Sequence, residues 1–171
     1  MRSCQRKRTR KQNFNYDCNG CYFITICVDE EVDYFGQIIG GKMYLSDLGI
    51  IAYEMWWQIP QHFHYAKVDE FIVMPDHVHG IVFVDDTVGD RHACPLQIDK
   101  FSNNQNTPVV RRQNQKLPII IGSYKSVVSK EIHRSTFFKW QRSYYDELID
   151  NETQFDKIKK YIKNNPKNRT K

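Results

Sequence analysis

The alternation of apolar and polar positions divides this chain into a short series of elements. Tyr22-Phe-Ile-Thr-Ile-Cys-Val28 is aromatic and β-branched and is closed by the acids of 29–31, which predicts a strand. A turn segment with Gly40 and Gly41 leads to Met43-Tyr-Leu45. Ser46 is then placed as the N-cap of a helix through Gln58, with Leu48, Ile51, Ala52, Met55 and Trp56 on one face and Pro60 ending it. Phe71-Ile-Val-Met74 continues past Pro75 into His77-Val-His-Gly-Ile-Val-Phe-Val84, a hairpin or bent pair of strands. From Asp85 to Lys116 the chain is polar, with Asn, Gln and Pro clusters, and reads as a long loop. A helix is expected from about Ile121 to Arg134, then a strand or extended piece from Phe137 to Tyr145. The last helix begins near Asn151, where Asn151 and Gln154 resemble a capping box, and runs to Asn164 before Pro166. This order predicts an α+β fold, with helices packed on one face of a mostly antiparallel sheet and the other face left open. No internal repeat interrupts it.

Length and charge narrow the reading. At 171 residues the chain suits one domain that needs no disulfide or structural metal to hold a core. No apolar run approaches the roughly 18 residues of a membrane span, and the basic start has no apolar stretch behind it, so a cytoplasmic protein is expected. The five cysteines, Cys4, Cys18, Cys21, Cys27 and Cys94, are expected to be reduced thiols. Cys18-Asn-Gly-Cys21 has zinc-knuckle spacing, but no second pair follows to complete a site. The net charge of +5 is unevenly spread: residues 2–11 and 156–171 hold 13 of the 25 basic residues. The middle of the chain carries 12 basic residues against 19 acidic ones. A polyanion gripped near the termini would explain that asymmetry; solvated tails would explain it equally well. Residues 1–19 are set apart as a basic arm preceding one domain over 20–171.

Two constellations could carry chemistry. On a strand the side-chain period is two, so His77 and His79 leave the same face and offer most of a divalent-metal site. His62-Phe-His64 has the same spacing but sits at a helix end among charged and aromatic residues, where a surface pair is the plainer reading. The pair at 77 and 79 interrupts an apolar run, where two polar rings need a reason. In the last helix Tyr161 and Asn165 are four residues apart and share a face, beside the apolar stripe Phe155, Ile158 and Ile162. Tyr161 could be a core aromatic at the edge of that stripe. Lys157, Lys159, Lys160 and Lys163 surround it, however, and could hold a phosphate within its reach, while an Asn165 amide oxygen is a suitable hard ligand for Mg²⁺ or Mn²⁺.

Taken in order, Phe71-Ile-Val-Met-Pro-Asp-His-Val-His-Gly80, Trp140-Gln-Arg-Ser-Tyr-Tyr-Asp146 and Tyr161-Ile-Lys-Asn-Asn-Pro166 resemble the single-tyrosine transposases of the HUH endonuclease superfamily. The REP-associated tyrosine transposases are the most similar branch, since they end the nucleophile helix in Tyr-Ile-x-x-Asn-Pro. The resemblance spans about residues 20 to 168. It implies a ferredoxin-like fold with the active site on the sheet, Tyr161 as nucleophile, and His77, His79 and Asn165 as ligands of Mg²⁺ or Mn²⁺. It implies structural roles for Trp140 to Tyr145. The implied substrate is single-stranded DNA beside a hairpin, cut so that the tyrosine is joined to the 5′ phosphate. The loop at 85–116 is long for the pattern, and Asp76 stands where Asn is common. The chain stops five residues after Pro166, where relatives often carry a further segment. Monomer or homodimer, and cis or trans placement of Tyr161, are left open.

One divalent cation would polarise the phosphate, and the phosphotyrosine would conserve the bond energy for attack by a second 3′ hydroxyl. Two rival expectations stand beside this one: a DNA-hairpin-binding protein without catalysis, and a metal-dependent hydrolase that uses water while Tyr161 merely packs.

Overall fold

In the computed structural model, which describes residues 19–85, 116–134 and 136–169, the central strand of the fold is the one with the strongest β signal. Strand β1 (Gly20–Cys27) pairs on one side with β5 (His77–Val84) and on the other with β6 (Tyr145–Leu148). Strand β4 (Ala66–Val73) closes the sheet beyond β5, so the order is β4-β5-β1-β6 and every pairing is antiparallel. Between β1 and β4 lie a small hairpin, β2 (Gly36–Ile39) with β3 (Lys42–Leu45), helix α1 (Asp47–Trp57) and a single turn, α2 (Ile59–His62). Helix α3 (Lys116–Ile132) precedes β6, and α4 (Glu152–Asn168) follows it. Leaving out the hairpin, the α2 turn and α4, the order is strand, helix, two strands, helix, strand, and the sheet has the ferredoxin-like arrangement.

The two sheet faces differ in what covers them. Tyr22, Ile24 and Ile26 of β1, Val28 just beyond it, and Val78, Val82 and Val84 of β5 point to one face, where Ala52 and Trp56 of α1 and Ile120, Ile121, Tyr124 and Val128 of α3 bury them. The other face is not open. Ile158 and Ile162 of α4 cover Cys21 and Ile81 there, with Phe23, Ile72 and Phe83 around them. That second face is the one onto which a period of two sends His77 and His79.

Local signals explain most of the elements. The Ser46 hydroxyl accepts the Gly49 amide at 3.2 Å and caps α1, and Asn151 accepts the Gln154 amide at 2.9 Å and caps α4. Pro60 does not simply end α1; it opens the α2 turn, where its missing N–H costs nothing. Four expectations shift. Strand β4 starts at Ala66, before the apolar run, because β5 offers eight residues to pair and the acids Asp69 and Glu70 are answered by lysines of α4. Helix α3 begins at Lys116, with Pro118 tolerated in its first turn. Of the strand or extended piece expected over 137–145, the strand does not form: Phe138, Trp140 and Tyr144 are buried in the core, Trp140 makes an isolated bridge to Val28, and the ladder to β1 forms only over Tyr145–Leu148. Helix α4 runs through Pro166, which is buried, and ends with the Arg169 amide donating to the Asn165 carbonyl at 3.2 Å. So near the helix end the ring removes little. The basic arm up to residue 18, with Cys18, and the polar stretch 86–115 lie outside the described residues. Among the described residues no helix is long and apolar enough to cross a membrane.

Candidate active site

His77 and His79 open strand β5 and face α4, as the alternation predicts. Their cross-strand partners on β1 are Cys27 and Thr25. That register brings the Thr25 hydroxyl to 2.8 Å from His79 Nδ1. His77 Nδ1 lies 2.5 Å from Asp76 Oδ1. A carboxylate only accepts, so His77 Nδ1 donates to Asp76, which turns Nε2 toward His79. The Thr25 hydroxyl holds Nδ1 of His79 in the same way, which turns its Nε2 toward His77. The two Nε2 atoms are 3.1 Å apart.

Where both Nε2 atoms are unprotonated, two lone pairs converge at that distance and could share one cation. Nitrogens bound at about 2.1 Å to one ion and at right angles would be about 3.0 Å apart, so the observed spacing fits a shared divalent cation. The orienting bonds to Asp76 and Thr25 are of the kind that ligand histidines ordinarily have. His79 is 6% exposed. Burial pushes its pKa down to about 3, which keeps the ring neutral and able to ligate. For Asp76, burial opposes the charge. The hydrogen bonds from His77 and Arg169 outweigh it and hold the carboxyl well below the usual carboxylate range.

Tyr161 comes to this pair from the opposite side. Its hydroxyl is 3.4 Å from His79 Nε2, and 46% of the residue is exposed, so a substrate can reach it. Tyr161 is therefore not a core aromatic. Phe23 fixes its approach: that ring stacks on His79 at 5.3 Å and meets Tyr161 edge-on at 6.0 Å. Asn165, one turn further along α4, is buried at 8% exposure, and among the described residues its amide makes no hydrogen bond. Among the described residues no three His, Cys, Asp or Glu cluster as a metal site. A cation at the histidine pair would draw any third protein ligand from another residue type.

The surroundings correct the expected role of the lysines. Lys159 and Lys163 are ion-paired with Asp69 and Glu70 on β4, at 2.7 and 3.1 Å, and so hold α4 to the sheet. Lys157 and Lys160 are exposed on the same helix. His62 and His64 are both exposed, as the surface reading of that pair expects. Sequence reasoning missed Phe23, Thr25 and Arg169 and gave Asp76 no role. Arg169 grips Asp76 with two hydrogen bonds of 2.6 and 2.9 Å. The available signal was spacing, because Tyr161, Asn165 and Arg169 stand at i, i+4 and i+8 on one face of α4.

No protein-family model matches the chain. It is 34% identical over 163 residues to an uncharacterized protein of Haemophilus influenzae, an alignment that covers 94% of this chain and 88% of that one. Among solved structures, a REP-associated tyrosine transposase bound to a REP hairpin superposes with a TM-score of 0.60 at 12% identity, over 92% of this chain and 73% of that one. At that identity the likeness shows a shared fold.

Proposed function

We propose, for a chain that belongs to the same family as the Haemophilus influenzae protein, that it nicks single-stranded DNA beside a hairpin and transfers the cut strand through Tyr161. The observation that carries this reading is the convergence of three atoms: two imidazole nitrogens 3.1 Å apart and a tyrosine hydroxyl 3.4 Å from one of them. The fold shared with a hairpin-bound tyrosine transposase supports it. His77, His79 and Asn165 would hold Mg²⁺ or Mn²⁺, which when bound supplies Lewis-acid stabilisation of a phosphate.

The rest falls to the chain itself. The Tyr161 oxygen attacks phosphorus, its proton leaves, and the bond to the 3′ oxygen breaks, leaving a 3′ hydroxyl and a 5′ phosphotyrosine. A second 3′ hydroxyl can then attack the phosphotyrosine, restoring the phenol and a phosphodiester, with no nucleotide consumed. Phe23 limits the swing of the Tyr161 ring, and the exposed Lys157 and Lys160 offer charge to the DNA backbone.

The test is a covalent adduct. Labelled single-stranded DNA with a hairpin is incubated with Mn²⁺ and run on a denaturing protein gel, comparing wild type with Tyr161→Phe and His77→Ala. A metal-dependent adduct in wild type that disappears in both variants is expected. Cleavage that survives Tyr161→Phe would make water the nucleophile and overturn the mechanism. Tight hairpin binding without adduct or cleavage would identify a binding protein instead.

A further inference from the structure

Arg169 lies two helical turns beyond Tyr161, yet it reaches the same site from the end of α4. Its two guanidinium nitrogens bond both oxygens of Asp76, at 2.6 and 2.9 Å, and Asp33 lies 3.6 Å from it. The Asp76 oxygen that takes the 2.6 Å bond also accepts from His77 Nδ1. The Asp76 backbone is fixed as well: its carbonyl accepts the Val28 amide at 2.9 Å, and the Met74 amide donates to the His77 carbonyl at 2.8 Å. One carboxylate thus ties the histidine-bearing strand to the tyrosine-bearing helix.

That tie matters because the rest of the α4 docking is modest. Its apolar anchor is Ile158 and Ile162 with Phe155 beside them, and its two lysine pairs with β4 are partly exposed, where each is worth about 0.2–1 kcal/mol. A bidentate arginine–carboxylate pair with both partners largely shielded is stiffer and directional. It acts at the far end of a rigid helix, so it sets where the face bearing Tyr161 and Asn165 lies relative to His77.

We infer that Arg169 is a positioning residue: through Asp76 it orients His77 and holds the Tyr161–Asn165 face of α4 in register with the histidine pair. The inference rests on the proposed nicking reaction and adds to it a residue that touches neither DNA phosphorus nor metal. A lysine cannot reproduce the fork, so charge alone is not sufficient.

The test has two readouts. Mn²⁺ binding to the protein alone is measured by electron paramagnetic resonance, and adduct formation is followed against Mn²⁺ concentration for wild type, Arg169→Met, Arg169→Lys, Asp76→Ala and Arg169→Met/Asp76→Ala. Each single variant is expected to bind Mn²⁺ about tenfold or more weakly, with Arg169→Lys far closer to Arg169→Met than to wild type. The saturating rate of adduct formation should fall, because Tyr161 is misplaced even when metal is bound. The double variant should be little worse than the worse single one, since both act through one bond. Should Arg169→Met fail to fold, Arg169→Lys keeps the test alive. A wild type that forms the adduct, with Arg169 variants matching it in Mn²⁺ binding and saturating rate, overturns the inference alone. Losses that simply add in the double variant overturn it too. A wild type that forms no adduct overturns the nicking reaction and this inference with it.

Discussion

Gly80 follows the two histidines on β5 but points to the other face of the sheet, directly against α1. A Cβ at this position would lie 2.3 Å from Cζ2 of Trp56 and 2.9 Å from Cε2 and Cη2, where carbon atoms normally rest about 3.5–4.0 Å apart. Relief therefore needs a movement of more than about 1 Å. Trp56 has no exposed surface and is held by Phe71, stacked at 5.6 Å, and Tyr124, edge-on at 5.1 Å. Strand β5 cannot retreat either, because Gly80 pairs with Ile24 on one side and Phe71 on the other. Gly80→Ala should therefore destabilise the fold by about 3 kcal/mol, the upper part of the range for overpacked cores. In a chain of this size that corresponds to a fall in Tm of roughly 6–12 °C. Urea unfolding followed by far-ultraviolet circular dichroism gives the free energy. Trp56→Phe is the control, since it removes the clashing atoms, and Trp56 Nε1 has no hydrogen bond to lose. The double variant should be at least about 1 kcal/mol more stable than the sum of the single costs implies. A Gly80→Ala protein within about 0.5 kcal/mol of wild type, or strictly additive costs, would refute the packing argument.

Three further outcomes are expected. Thr25→Val keeps the shape of the side chain but removes the 2.8 Å partner of His79 Nδ1; Mn²⁺ binding should weaken about tenfold, and an unchanged affinity would mean that Thr25 does not orient the ring. Lys125→Met strands the carbonyl of Gln141, which the ammonium reaches at 2.7 Å, and weakens the hold on Arg142 and Ser143; thermal unfolding should register a loss of about 1–3 kcal/mol. Burial lowers the Lys125 pKa, so between that value and the ordinary 10.5 the unfolded chain binds more protons, and wild type should gain on Lys125→Met as pH rises through that window. Deleting residues 1–11, with their six basic side chains, should lower single-stranded DNA affinity and flatten a log–log salt slope near −4, the value expected if about six phosphates are neutralised; an unaltered slope would make the arm a solvated tail.

What could be read in advance was what depends on neighbours in the chain. The period of two put His77 and His79 on one face, and Ser46 and Asn151 marked helix starts, because these signals are complete within a few residues. The three motifs in order carried the ferredoxin-like fold. Strand β4 was half-hidden, since Lys67, Asp69 and Glu70 break the apolar alternation and are justified only by lysines that lie far along the chain on α4. The stretch 137–145 misled for the opposite reason: its aromatics look like a strand but are spent on packing against Phe35 and Tyr124.

The least legible part is the ring of polar contacts that orients the site. Thr25 and His79 are 54 positions apart, and Asp76 and Arg169 are 93 apart. The spacing of His79 from His77 marks the ring but not the partner that orients it, and Thr25 carries no local mark of its role. Spacing sets Arg169 on the side of Tyr161 and Asn165, but only the crossing of α4 over the second sheet face turns it toward Asp76. Charge at the end of this chain therefore has two sources. Some of it, as on Lys157 and Lys160, is exposed to a polyanion, and some, as on Arg169, Lys159 and Lys163, is committed to acids of the fold itself. Counting terminal positives without that division overstates the share available to DNA. The basic arm is for that reason the more informative place to test the electrostatic contribution to binding, while α4 is the place to test geometry.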